Sequence, residues 1–193
     1  MKIVAIIQAR MGSIRLPGKV LKKIGNKNLI EIILERLSHS NEINEIVVAT
    51  SVDSKNDVLQ KFVESLNYNC FRGSEKDVLE RYFMCAERFN ADAVVRITGD
   101  CPLVDAELVD DLIKQFKKSN VDYFSNVEPS TFPDGLDVEI ISFDALKKAH
   151  LIARSEYDRE HVTPLIRKSD DFSRSSYKSV SYTHLTLPTR KLV

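Results

Sequence analysis

Arg10, Arg15 and Lys19 stand close together in the stretch QARMGSIRLPGK, residues 8–19, which also holds Gly12, Gly18 and Pro17 and no acidic residue. The stretch follows without a linker on MKIVAII. A continuous apolar run that short suits a parallel strand covered on both faces. In open α/β sheets ligands bind beyond the carboxyl ends of the strands, so a bent, glycine-containing basic loop in that position suits a phosphate group. Glycine lets backbone N–H groups approach an anion. Arg offers paired donors to phosphate oxygens, and Lys a compact charge. The loop is not a Walker A loop, since Val20 stands where Ser or Thr is required, and it is not a G-x-G-x-x-G turn. A solvated basic surface loop is the plain alternative.

The second group of interest is RITGDCPLVD, residues 96–105. Asp100 lies just past another apolar strand, after Gly99 and before Pro102, which puts a carboxylate on the same rim of the sheet as the basic loop. A carboxylate facing phosphates is repelled unless a cation lies between them. Mg2+ takes such a place, with one or two carboxylates plus substrate phosphates as ligands. An aspartate here would also serve as an ordinary turn residue bonded to its own backbone. Cys101 reads as a small buried hydrophobe rather than a nucleophile.

The elements that must position these groups follow from apolar spacing. Residues 29–37 read as a helix with Leu29, Ile32, Ile33 and Leu37 on one face, and residues 45–50 as a strand. Residues 56–66 read as a helix with Val58, Leu59, Phe62, Val63 and Leu66 inside, followed by a short strand at 68–71. Ser74 and Asp77 make an S-x-x-D capping box that opens a helix with Val78, Leu79, Tyr82, Phe83 and Ala86 inward. ADAVVRIT is a third strand. Asp105 caps a helix carrying Leu108, Val109, Leu112, Ile113 and Phe116, and VDYFS is a short strand. LDVEII, residues 136–141, alternates as a strand does. That places Asp137 and Glu139 on one face, opposite Leu136, Val138 and Ile140, where a solvated strand face explains them as well as a substrate site does. A helix over 145–153 and a second capping box, Ser155 with Asp158, follow. Strands alternating with helices predict a three-layer, Rossmann-like α/β fold with a mainly parallel sheet, as one domain over residues 1–179. No acidic residue follows Asp171, and VSYTHLTLPTRKLV shows neither a helical face nor a long strand. Residues 180–193 are therefore expected to be a non-native tail, with an edge strand as the alternative.

Composition limits the function. The 193 residues hold 28 Lys+Arg and 28 Asp+Glu, so the net charge is zero and any anion site must be local. A general nucleic-acid or anionic-membrane binder would show a basic excess. Cys70, Cys85 and Cys101 are too few and too scattered for a disulfide framework or a C-x-x-C metal site. Reduced thiols suit a cytoplasmic protein. No signal-peptide cleavage pattern opens the chain, and no apolar run approaches the roughly 20 residues of a membrane span.

Taken together, AIIQARMGSIRLPGKVL and VVRITGDCPLVD resemble the cytidylyltransferase family, which includes CMP-sialate and CMP-Kdo synthetases. FRGSEKDVLERY, FPDGLDVEI and YDREHVTPLIRK also resemble motifs of its SpsF-like branch of spore coat polysaccharide biosynthesis proteins. The resemblance runs from residue 1 to about 168. It implies the nucleotide-diphospho-sugar transferase type of fold. It also implies transfer of CMP from CTP to a sugar, acidic or amino, with Mg2+ as cofactor and pyrophosphate as product. By position, Ala9, Arg10, Gly12 and Ser13 would hold the nucleotide, and Arg10, Arg15 and Lys19 the triphosphate. Asp100 would hold the metal, Thr98 and Gly99 would lie near the ribose, and Gly73 would approach the base. Asp137, Glu139, Arg159 and His161 would face the sugar, although His161 in its charged run suits a surface or supporting role better than that of a general base. Arg10, Lys19 and Asp100 would carry the catalysis. The resemblance admits a homodimer.

One departure bears on these expectations. Family members carry a metal-binding aspartate near an S-H-L-R-L-T-x-D stretch, where this chain has YTHLTLPT, and Leu187, Pro188 and Thr189 supply no carboxylate. A C-terminally truncated domain, short of its second metal ligand and its dimer-forming end, is the expectation. The alternatives are a nucleotidyltransferase for another base, a nucleotide-binding fragment impaired in catalysis, and a glycosyltransferase of related fold. The last would show a D-x-D, where GDCP has a single Asp.

Overall fold

Along the first strand, β1 (Ile3–Gln8), the apolar residues divide strictly by parity. Ile3, Ala5 and Ile7 enter one buried cluster, and Val4 and Ile6 enter another on the opposite face of the sheet. This is the geometry behind an unbroken apolar run: successive side chains point to opposite faces, so a strand covered on both sides needs every position apolar. The structure is a computed structural model and describes residues 1–13 and 16–177.

A small hairpin of β2 (Lys23–Ile24) and β3 (Lys27–Asn28) follows, then α1 (Leu29–Ser38), β4 (Glu45–Ser51), α2 (Asp57–Ser65), β5 (Asn69–Gly73), α3 (Val78–Arg88) and β6 (Ala93–Thr98). After these come α4 (Ala106–Ser119), β7 (Tyr123–Ser125), β8 (Glu139–Ser142), α5 (Phe143–Ile152), α6 (Glu156–His161), α7 (Pro164–Lys168) and β9 (Arg174–Ser176). The main sheet has seven strands in the order β5-β4-β1-β6-β8-β7-β9. The pairs β5/β4, β4/β1, β1/β6 and β7/β9 are parallel; β6/β8 and β8/β7 are antiparallel. The three-layer, mainly parallel architecture read from the sequence is the one observed. Leu34, Leu37, Leu59, Val63, Leu112 and Phe116 cover one face, and Leu79, Tyr82, Ala86, Leu146 and Ile166 the other.

Three local expectations are corrected. Val58 is 52% exposed rather than inside, because α2 turns only Leu59 and Val63 fully inward. Ser74 does not cap α3; Asp77 does, accepting from the Glu80 N–H at 2.8 Å, while the Ser74 hydroxyl accepts from the Asp77 N–H in the turn before. LDVEII does not alternate. Val138, Glu139, Ile140 and Ile141 are all buried, since β8 lies between β6 and β7 with helices on both faces. The caps at Asp105 and Ser155 are as expected, accepting from the N–H groups of Leu108 and Asp158. The expectation for residues 180–193 falls outside the described residues. No described helix is long and apolar enough to cross a membrane.

Candidate functional site

The basic loop leaves β1 under close control. The Ala9 N–H donates to the Ala49 carbonyl at 3.2 Å, and the Met11 N–H to Asn56 Oδ1 at 2.8 Å. Asn56 is itself buried and donates to the Ser51 hydroxyl. Gly18 returns the loop to its start, its N–H donating to the Met11 carbonyl at 2.9 Å. Its φ of 66° lies in the left-handed region, where glycine is the residue of choice. A 3-10 turn over Lys19–Leu21 then buries Val20, and this anchors Lys19 beside the mouth of the sheet.

The opposite wall comes from β6. Gln8 pairs with Thr98 in register, and the Gly99 N–H donates to the Gln8 carbonyl at 2.8 Å. A Cβ at Gly99 would lie 2.8 Å from that carbonyl oxygen and 2.9 Å from the Ala9 Cβ. Glycine is required here by the approach of two backbones, and that approach sets Asp100 across from the loop. Lys19 Nζ meets Asp100 Oδ2 at 2.5 Å. Ala9, Arg10, Ser13, Lys19, Thr98, Gly99 and Asp100 line one cavity of about 340 Å3. Two constellations far apart in the sequence therefore share one site. Burial would raise the Asp100 carboxyl, but the Lys19 ammonium and the Thr98 side chain outweigh it and hold the group below its ordinary value. Cys101 is half-buried, with Sγ 3.0 Å from the Thr98 hydroxyl, and burial pushes its thiol upward, away from nucleophile chemistry.

Other expected site residues are placed differently. Gly12 does not line this cavity, and open space lies where its Cβ would be. Arg15 lies outside the described residues. Gly73 ends β5, and the room it leaves is taken by Arg81, whose Cγ would sit 2.9 Å from a Cβ there. Arg10 reaches back to Glu75 at 3.3 Å. Arg159 is committed to Asp77 at 2.5 Å and to the His150 carbonyl at 2.9 Å, which ties α6 to α3 and α5. Glu139 is not on a solvated face: it is 5% exposed, paired with Arg96, and accepts the Tyr123 O–H at 2.6 Å. Asp137, Glu139 and His161 line a second cavity, and Arg159 with His161 a third. His161 is exposed and packs against the Tyr157 ring.

Arg96 and Arg81 were missed by sequence reading. Arg96 lies in the wall of both the first and the second cavity, and its guanidinium is 5.9 Å from the centre of the Tyr82 ring. Burial works to lower its pKa, but Glu139 more than offsets this. A lone cation inside the apolar run ADAVVRIT was the available signal. Arg81 is 1% exposed, and its Nη1 donates to the Ser74 carbonyl at 2.6 Å. Among the described residues its Nε has no partner, and neither has Gln8 Oε1 or Glu75 Oε2. All three side chains line the third cavity, of about 660 Å3, which shares Gln8 and Arg10 with the first. Buried polar atoms without partners cost free energy unless something else satisfies them.

Asp100 fits a Mg2+ ion by the chemistry of its surroundings: one carboxylate, facing cations suited to phosphate, is the partial shell that this ion completes with substrate oxygens and water. Among the described residues no three His, Cys, Asp or Glu side chains gather around a single point.

A family model described as cytidylyltransferase matches residues 4–189. An uncharacterized protein of Methanocaldococcus jannaschii is 44% identical over 177 residues, 92% of this chain and 72% of its own length. The spore coat polysaccharide biosynthesis protein SpsF of Bacillus subtilis is 36% identical over 170 residues, 86% of this chain and 70% of its own. A solved cytidylyltransferase from Leptospira borgpetersenii superposes with a TM-score of 0.89 at 34% identity, covering 93% of this chain and 77% of that one.

Proposed function

The chain belongs to the cytidylyltransferase family, and from that premise we propose that it transfers CMP from CTP to a hydroxyl of a sugar, with release of pyrophosphate. The observation that carries this reading is the pairing of Lys19 with Asp100 across a cavity at the carboxyl ends of β1 and β6. A triphosphate entering there meets Lys19, Arg10 and the polar loop around Ser13, and it displaces Asp100 from Lys19.

The sugar oxygen attacks the α-phosphorus in line with the leaving group. The new P–O bond forms as the bond to the β-phosphate oxygen breaks, and the hydroxyl proton passes to solvent. The protein's part is to position the groups and neutralise charge. Lys19 and Arg10 bind the triphosphate and offset the charge that grows on pyrophosphate. Arg96, fixed by Glu139, forms the floor between the nucleotide and acceptor cavities. Asp100 would hold a Mg2+ ion, which when bound would supply charge neutralisation. The third cavity suits the base: Arg81 Nε is a free donor for a ring carbonyl and Gln8 Oε1 a free acceptor for an exocyclic amine, the pair of edges that cytosine presents.

Pyrophosphate release with CTP, UTP, GTP and ATP against a sugar panel tests the reading. CTP is expected to lead, and Gln8→Leu is expected to narrow its margin over UTP. Equal use of all four nucleotides would overturn the base assignment, and binding of CTP without turnover of any sugar would overturn the transfer.

A further inference from the structure

Three side chains on one face of the sheet make a line of contacts from β7 to the wall of the site. Arg96 on β6 pairs in register with Glu139 on β8, and Glu139 in turn with Ser125 on β7. Tyr123 lies two residues back along β7, on the same face as Ser125, and its O–H donates to Glu139 Oε1 at 2.6 Å. Arg96 Nη1 donates to the other oxygen, Oε2. The carboxylate is thus held from both sides, and Tyr123 and Glu139 are both buried. Tyr123 lines neither of the two cavities between which Arg96 stands, the one beside Lys19 and Asp100 and the one beside His161 and Arg167.

A guanidinium is planar, and its N–H groups point in fixed directions. Holding Nη1 therefore sets where the rest of the fork faces. Among the described residues Glu139 is the hydrogen-bond partner of the Arg96 guanidinium, and Nε has none. Tyr82 backs the group, its ring centre 5.9 Å away and its O–H donating to the Ile6 carbonyl at 3.3 Å. The last torsion of a glutamate side chain is broad. A carboxylate held by Arg96 alone can swing, and the guanidinium with it; the Tyr123 hydroxyl removes that freedom. Burial, and then the Glu139 carboxylate beside it, push the Tyr123 phenol far above its ordinary value, so it remains a donor.

We infer that Tyr123 is a positioning residue for the transfer: by fixing Glu139 it holds the Arg96 guanidinium at the seam of the nucleotide and acceptor cavities, where that group touches the phosphoryl group in passage. The inference rests on the transfer reading above and adds to it a residue that meets neither substrate. Lys19 and Arg10 bind the triphosphate from the other wall, so loss of the Tyr123 hydroxyl acts on the transfer step and spares nucleotide binding.

The test uses the full chain. Tyr123→Phe keeps the ring and removes the O–H. CTP affinity, by calorimetry, is expected to be unchanged. The kcat of pyrophosphate release with CTP, and with the sugar that leads the panel, is expected to fall about ten- to a hundredfold, the cost of a misplaced group at a reacting centre. The Arg96 Nε–H signal in nitrogen NMR, assigned by its loss in Arg96→Lys, should shift and exchange faster with water. In the Arg96→Lys background, where a compact ammonium leaves no planar fork to aim, Tyr123→Phe should add little to the loss of turnover. Melting temperatures are read beside each rate, since a merely structural tyrosine would lower turnover alike in both backgrounds. Unchanged kcat in Tyr123→Phe, an unchanged Arg96 signal, or equal losses in the two backgrounds would each overturn the inference. Failure of the wild type to turn over any sugar would instead overturn the transfer reading, and the Arg96 signal would still decide whether Tyr123 holds that side chain.

Discussion

Lys19 and Asp100, 81 residues apart in the chain, meet at 2.5 Å across the mouth of the sheet. Each is the other's substitute ligand: Lys19 stands where a metal would meet Asp100, and Asp100 where a phosphate would meet Lys19. On the transfer reading proposed above, phosphate and metal binding would therefore be coupled through one ion pair, each ligand freeing the partner of the other.

Removal of the lysine separates the two roles. Lys19→Met is expected to weaken CTP binding about tenfold or more, the cost of a charge-assisted contact, and to tighten Mn2+ binding by the nucleotide-free protein. Calorimetry of CTP and electron paramagnetic resonance of Mn2+ measure both. Weaker Mn2+ binding in the variant would show that the lysine does not compete for Asp100.

Asp100→Asn is expected to leave the melting temperature nearly unchanged, since Asn serves a turn as well as Asp, and to remove Mg2+-dependent turnover. A Mg2+ titration of wild type and variant reads this directly, and equal turnover at saturating Mg2+ would reject the metal role.

Gly99→Ala forces a methyl against the Gln8 carbonyl and the Ala9 side chain. Overpacking of this kind costs about 1–3 kcal/mol, and relief comes only by parting the ends of β1 and β6. Denaturant unfolding should show that loss, accompanied by a larger fall in turnover than in stability. Wild-type behaviour would mean that the two strand ends are not held as closely as 2.8 Å.

In the Arg96–Glu139 pair the carboxylate is buried and the guanidinium largely so, with side-chain exposures of 7% and 15%. Breaking such a pair from one side costs about 3–5 kcal/mol, because a charge is left unpaired. Arg96→Met alone should therefore destabilise the protein strongly, and Arg96→Met with Glu139→Gln should recover part of the loss. A double-mutant cycle by denaturant unfolding checks this, and simple additivity would mean that the two residues are not coupled.

Acid should loosen the join between α4 and the segment after α1. Burial would raise the Asp110 carboxyl, but the Ser40 hydroxyl and the N–H groups of Asn41 and Glu42 outweigh it and hold the group below its ordinary value. A depressed folded-state pKa gives stability that is present above about pH 4 and is lost as the pH falls through the folded value. The gap in melting temperature between wild type and Asp110→Asn should be wide at pH 7 and narrow toward pH 3. A constant gap would exclude the linkage.

The parallel core was legible because apolar runs such as IVAII and AVVRIT admit one arrangement, a strand covered on both faces. That the basic loop and Asp100 share one rim of the sheet was legible by position, each lying just after such a run. Glu139 was not, because a two-residue period looks the same whether the polar face meets water or a buried arginine from the neighbouring strand. Gly73 was legible in part for a related reason: a glycine at a strand end shows that something comes close, but not that the neighbour is Arg81. The orphaned atoms of Gln8, Glu75 and Arg81 have no signal in sequence, since they exist only once three distant segments converge.

The reversal of direction between β6 and β8 has a consequence for how such a molecule diversifies. Arg96 pairs in register with Glu139 on a strand running the other way, so the rim at the carboxyl end of β6 is continued by the amino end of β8. On the transfer reading proposed above, the nucleotide half would be built by chain leaving strands, and the acceptor half by chain entering one. On that reading a change of acceptor would fall on residues 126–138 and leave residues 9–19 untouched. Donor chemistry and acceptor choice would then be written in separable stretches of the chain.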